Sequence, residues 1–407
     1  MNSGLSGTAA SSNSSMTCTI SDEKIRCKRR PYDAHTGMIP GVIIATSRSV
    51  ASAAGGVGMC AQEYLRTLAA AGFRLEIVTF DVDRRPLVRL KRKIWPQAYA
   101  NAIPPFVASE AVAIARKLAA RFVFLHMTDT APLAAALRNA LGPDTQIVLL
   151  SHGTESGDYL HKLRTKNELT SVFRPPRLPR TGELARLLCT ESSQRRHIDH
   201  VLCLSPVEAN LELWLGARAA TWVPRTVTPN PLPWNPHPGR IGFVGAIDHE
   251  PNTEGLLLFA KALEAAAPDD LHFRVVGGPE KVGRAFAERF RFLEYVGPLN
   301  DAQLETEAAT WNCFVHPIFC YPRGCSTKLA TGLGWHLPVV TTPGGRRGYV
   351  WGAGELPIAE TPGELAHLAV SMFRRETAAA ARREVQRVAA SSPSLDETAN
   401  IVRNALL

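Results

Sequence analysis

No stretch of this 407-residue sequence approaches the ~20 consecutive apolar residues that a membrane span needs. None of its eight cysteines lies in a C-x-x-C pair, so neither a zinc ribbon nor a thioredoxin-like redox motif is encoded. No Walker A motif and no full G-x-G-x-x-G fingerprint is present, which argues against a kinase and a dehydrogenase. The basic side chains come without a helix-turn-helix, zinc-finger or aromatic-sheet signature, so nucleic acid is not an expected partner. Residues 1–38 are rich in Ser, Thr and Asn and lack the apolar core of a secretory signal. They read as a disordered tail, or as a segment upstream of a true start at Met38.

What is present describes a soluble two-domain chain. Hydrophobic residues make up 45% and charged residues 20%, and the length suffices for two ordinary cores. The net charge of +9 follows from 46 basic and 37 acidic side chains and suggests anionic partners. Much of it is local: from Arg84 to Ser109 there are six basic residues and no acid, with Trp95 and Phe106 among them. Residues 84–106 read either as a solvated loop or as a peripheral contact with anionic lipid headgroups or a lipid-linked acceptor. His316, Cys320 and Cys325 can be drawn as a metal cluster, but their spacing matches no zinc knuckle. The scattered cysteines fit a reducing cytoplasm.

From Gly41 onward, strand-like apolar runs alternate with helical patterns, which predicts parallel sheets flanked by helices. Pro229 to Pro238 packs five prolines into ten residues near the chain's midpoint, a linker composition, and the alternation then restarts at Arg240. The expected layout is an α/β domain over 39–228, a linker over 229–239, and a second α/β domain with C-terminal helices over 240–407. Ligands of such sheets sit at the carboxyl ends of the strands, so both domains should offer loops to a cleft between them.

The segment from His316 to Trp351 carries the most chemistry. A short strand opens into a loop containing Arg323 and Gly324, followed by a helix start at Ser326-Thr327-Lys328 and a second strand at Val339-Val340. Helix N-termini offer unbonded N–H groups and partial positive charge to anions, and Lys328 adds a full charge. This arrangement suits a diphosphate. Together with Gly55-Gly56-Val57-Gly58, the run from Phe243 to Asn252, Val275 to Pro279 and Tyr295 to Asp301, it resembles the retaining GT-B glycosyltransferases of group 1, family 4. The resemblance implies two Rossmann-like parallel-sheet domains facing a central cleft, and a nucleotide-diphosphate sugar as co-substrate with no other cofactor and no metal.

The same resemblance assigns roles. Gly55, Gly56 and Gly58 would close over the donor phosphate, and Gly277 and Val296 would line the nucleotide. Arg323, Gly324, Ser326, Thr327, Lys328 and Thr331 would bind the donor from the second domain. His126 and His152, each at a strand end, would contact the transferred sugar, although strand-end histidines are commonly structural. Glu155 and Asp158 could bind acceptor hydroxyls or be solvated.

Three positions depart from the family. Ala246 stands where relatives carry an Arg, and Arg323 and Thr331 stand where they carry two Glu residues eight positions apart. Arg323 would then supply the charge missing at Ala246. Asp81-Val82-Asp83 mimics the metal motif of the unrelated GT-A fold. The expected reaction is sugar transfer to a carbohydrate or lipid-linked acceptor for a cell-surface or exopolysaccharide precursor. A non-catalytic partner protein and a nucleotide-sugar 2-epimerase are the alternatives, the latter weakened by the absent glutamates.

Overall fold

The computed structural model describes residues 37–51, 55–83, 85–88, 103–164, 181–266, 268, 270–320 and 323–407. The expected tail up to residue 36, most of the basic stretch and the connection over 173–180 lie outside them. Among the described residues, no helix is long and apolar enough to cross a membrane.

The first lobe is built on strands β1 (Ile39–Thr46), β2 (Phe73–Phe80), β3 (Phe122–His126), β4 (Gln146–Ser151), β5 (His200–Cys203) and β6 (Ala220–Trp222). They form one parallel sheet in the order β2-β1-β3-β4-β5-β6. Every residue of β3 is buried, as expected for a strand covered on both faces by helices. The second lobe holds β7 (Arg240–Val244), β8 (His272–Val276), β9 (Leu293–Gly297), β10 (Cys313–His316) and β11 (Val339–Thr341). Its parallel order is β11-β10-β7-β8-β9. In each sheet the winding direction reverses once, between β1 and β3 and between β7 and β10. Such a switch point opens a crevice at the carboxyl ends of the strands.

The proline-rich segment forms no helix or strand, yet it is strapped down. Leu232 is buried, and its N–H donates to the Trp335 carbonyl at 3.0 Å while Asn230 N–H donates to Gly334 at 2.7 Å. Proline fixes the extended backbone that lets these donors reach the second lobe. The C-terminal helix, Leu395–Leu406, crosses back and packs on the first lobe's helix Gly55–Ala70. Val402 and Leu406 share a buried cluster with Cys60, Tyr64 and Leu68.

Candidate active site

Both switch points face one another. Helix Gly55–Ala70 starts after β1, and helix Thr327–Gly334 starts after β10. A Cβ placed on Gly56 would lie 3.4 Å from the Thr327 hydroxyl, so the two N-termini approach each other across the cleft. The glycines open the helix: Gly55 leads into it at φ +79°, and Gly56 and Gly58 lie in its first turn.

Lys328 enters this crevice through a channel that only glycine leaves open. A Cβ on Gly245, at the end of β7, would overlap the Lys328 side chain. Its Nζ donates to Asn252 Oδ1 at 2.7 Å and lies 5.7 Å from the Phe243 ring centroid. Asn252 is fixed in turn by its own amide, which donates to the Ala246 carbonyl at 2.7 Å. Burial pushes the Lys328 amine down to about 8 because a charge removed from water is disfavoured. Ser326 caps the helix by backbone only; its hydroxyl pairs with His316 Nε2 at 2.8 Å. The first turn is thus not satisfied by its own cap. Thr331 turns its hydroxyl back onto the Thr327 carbonyl at 3.2 Å, the usual helical habit of threonine. Gly277 N–H donates to the Gly297 carbonyl at 2.9 Å, which brings Gly277 and neighbouring Val296 to adjacent strand ends.

His126 and His152 meet edge to face with ring centroids 4.7 Å apart, and Tyr64 stacks on His152 at 5.7 Å. Tyr64 is held by donation to the Ser151 and Leu202 carbonyls. Among the described residues, neither ring nitrogen of His126 nor Nε2 of His152 has a hydrogen-bond partner. Buried polar atoms rarely go unpaired without a water or ligand. Burial holds His126 down to about 4 and His152 well below its ordinary value, so both are neutral at physiological pH.

Arg323 is placed otherwise than the sequence suggested. Its guanidinium reaches across the cleft to helix Glu155–Arg164, pairing with Glu155 and, at 3.0 Å, with Asp158 Oδ2. The charge expected at a diphosphate is thereby committed to two first-lobe carboxylates. The backbone follows: Gly324 N–H donates to buried Glu208, and a Cβ on Gly153 would strike Arg323, Glu208 and Gly324 together. Gly153 sits at φ +99° and Gly324 at φ +72°, conformations that glycine adopts without strain. Arg323→Ala is expected to cost ~1–2 kcal/mol, below the value for a fully buried pair since 28% of the side chain stays exposed. It should also raise the radius of gyration in solution scattering. An unchanged scattering profile would remove Arg323 as the clasp between the lobes.

Several residues carry the site without a sequence signal. Arg225, fully buried, donates to Glu63, to Cys60 Sγ at 3.0 Å and to the Cys325 carbonyl at 3.2 Å, tying the two helix starts together. Asp129, in the loop after β3, has its carboxyl pushed up to about 6 by burial, against the opposing pull of Arg323. Asp83 of the D-x-D triplet is paired with its neighbour Arg85 at 2.6 Å. His316 pairs with Ser326 and Thr341, and Cys325 lies beside Arg225. The trio drawn from His316, Cys320 and Cys325 is therefore not assembled.

Two family models match the chain: Glycosyltransferase Family 4 over residues 54–230 and Glycosyl transferases group 1 over residues 238–374. No curated protein matches it. Among solved structures, it is similar to the sucrose-phosphate synthase of Thermosynechococcus elongatus, with a TM-score of 0.60 at 16% identity, covering 90% of this chain and 98% of that one. Anabaena HepE, solved with UDP and glucose, aligns with a TM-score of 0.59 at 12% identity, covering 90% and 99%. The lipopolysaccharide outer core galactosyltransferase WaaB, in its apo form, gives 0.55 at 12%, covering 91% and 99%. These likenesses establish the GT-B fold, and the two family models cover most of both lobes. The chain belongs to the group 1, family 4 branch of the GT-B glycosyltransferases.

Proposed function

We propose that the protein moves a sugar from a nucleotide-diphosphate sugar to a carbohydrate or lipid-linked saccharide acceptor, with retention at the transferred carbon. The observation that carries this reading is the meeting of two helix N-termini over Lys328 at facing switch points. A departing diphosphate held there gains pre-organised positive potential from groups already desolvated, which is where electrostatic stabilisation is strongest. That supply of charge from Lys328 and the helix starts takes the role a metal plays in other transferases. Gly277 and Val296 would border the nucleotide, and Thr331 the ribose. Neutral His126 and His152, with ring nitrogens open to a partner, would hydrogen-bond the transferred sugar. HepE's UDP and glucose support the general kind of donor, and WaaB's outer-core substrate supports a cell-surface acceptor. Action at the cytoplasmic face, with residues 84–106 against anionic lipid, completes the reading.

One observation favours a second reading, an inert partner of another transferase: Arg323 and Gly324 fill the cleft wall against Gly153 and Glu208. Incubation of the purified chain with a panel of nucleotide sugars separates the two. Slow release of nucleoside diphosphate from one donor supports the transferase. Silence across the panel, with no thermal shift by any nucleotide, would sink it.

A further inference from the structure

The seam between the lobes is electrostatically uneven. Helix Glu155–Arg164 presents Glu155, Asp158 and His161 at steps of three, hence on one face. At one end Arg323 answers both carboxylates. At the other end, Glu254 of the second lobe faces His161, with Oε2 3.2 Å from Nε2 in a pair that is charged only if the imidazole is protonated. Cys320 completes the group, from the loop after β10. One ligand atom from each of His161, Glu254 and Cys320 lies within 4.8 Å of the others. Burial, then Glu254, drives the Cys320 thiol up to about 12. Arg347, the cation that opposes this rise, gives its Nε to the Gly324 carbonyl at 3.0 Å. Among the described residues, Glu254 has no Lys or Arg partner within an ion-pair distance.

We propose that His161, Glu254 and Cys320 form a binding site for a borderline divalent cation of the zinc class, tying the two lobes together. An imidazole, a carboxylate and a thiolate are the donor types zinc accepts, with a fourth position left for water. Tetrahedral bonds of the usual lengths place ligand atoms roughly 3.3–3.7 Å apart, so the widest edge must contract by about 1 Å, within side-chain rotation. On binding, the Cys320 thiol releases its proton to solvent, and any proton on the bound His161 nitrogen leaves with it. A dication converts two groups that oppose each other as anions into ligands of one centre. The donors come from three segments far apart in sequence and from both lobes, so the ion would act as a clasp beside the Arg323 pair.

The test uses the full chain, stripped by chelator and titrated with Zn²⁺ and, separately, Co²⁺. One zinc per chain is expected, with a rise in melting temperature and a thiolate-to-cobalt charge-transfer band in the near ultraviolet. Cys320→Ser should abolish that band, and Cys320→Ser and His161→Ala should each weaken zinc binding by at least ~10-fold, since even outer-shell changes cost ~10–100-fold. Should either variant fail to fold, Glu254→Gln, which preserves shape, is expected to give the same weakening. Absence of stoichiometric zinc on the wild type overturns the site. So does zinc binding that none of the three substitutions alters, which would assign the metal to other thiols such as exposed Cys189.

Discussion

Lys328→Met is expected to lower kcat/KM for the nucleotide sugar by ~10²–10³, the usual loss when one pre-organised donor to a developing anion is removed. The fold should not suffer with it. Holding this amine charged in a buried site, with its value down from 10.5 to about 8, costs roughly 3 kcal/mol at neutral pH. Methionine keeps the aliphatic stem beside Gly245 without that cost, so its melting temperature should match or exceed the wild type. Raising the pH offers a second readout. The folded chain binds fewer protons than the unfolded one between about 8 and 10.5, so Lys328 makes stability rise with pH in that window. Donor affinity must fall over the same window as the ammonium is lost. Parallel loss of activity and stability in the variant, or a donor KM that stays flat past the transition, would detach Lys328 from the diphosphate.

Glu212→Ala should be the most damaging single change in the first lobe, costing ~3–5 kcal/mol by urea titration. Arg195 and Glu212 are both fully buried, with Nε to Oε2 at 2.6 Å and Nη2 to Oε1 at 2.9 Å. Removing the carboxylate leaves a buried guanidinium without its hydrogen-bonded counter-charge, with Glu191 as the remaining carboxylate acting on it, a costly outcome for a buried pair. The effect reaches the site. Glu212 Oε1 also accepts the Ser151 hydroxyl at 3.0 Å, and Ser151 Oγ accepts the Gly153 N–H at 3.1 Å. The loop that carries His152 is hung from this ion pair. The double variant Arg195→Met, Glu212→Leu should recover most of the lost stability, because apolar pairs often replace buried ion pairs at little cost. A Glu212→Ala loss below about 1 kcal/mol would contradict the buried-charge account.

Most of the fold was legible, because its signals are local and repeated. Strand runs such as Phe122–His126 and helix starts such as Pro206 after Ser205, whose side chain accepts the Glu208 N–H, are written in adjacent residues. The facing of the two lobes also followed from strand ends and glycines. What stayed hidden was every partnership made between distant segments. Nothing near Arg323 announces Glu155 and Asp158, and an arginine in place of a glutamate looked like a charge for phosphate. Its commitment to the first lobe arises only when Gly153 and Gly324 let the two loops touch. Arg225 gave no signal either, since a lone basic residue before a proline-rich stretch reads as solvated. Cys320 lies near His316 and Cys325 in sequence, whereas its spatial neighbours His161 and Glu254 belong to helices that start at Glu155 and Glu250.

The return of helix Leu395–Leu406 to the first lobe has a consequence for synthesis. The side of helix Gly55–Ala70 on which this helix packs emerges early, yet the helix that covers it is made only after the whole second lobe. During that interval the first lobe carries an open sticky face, the kind of exposed surface that recruits holding chaperones. Residues on that late helix, Val402 above all, therefore bear on yield in the cell more than on any step of the chemistry.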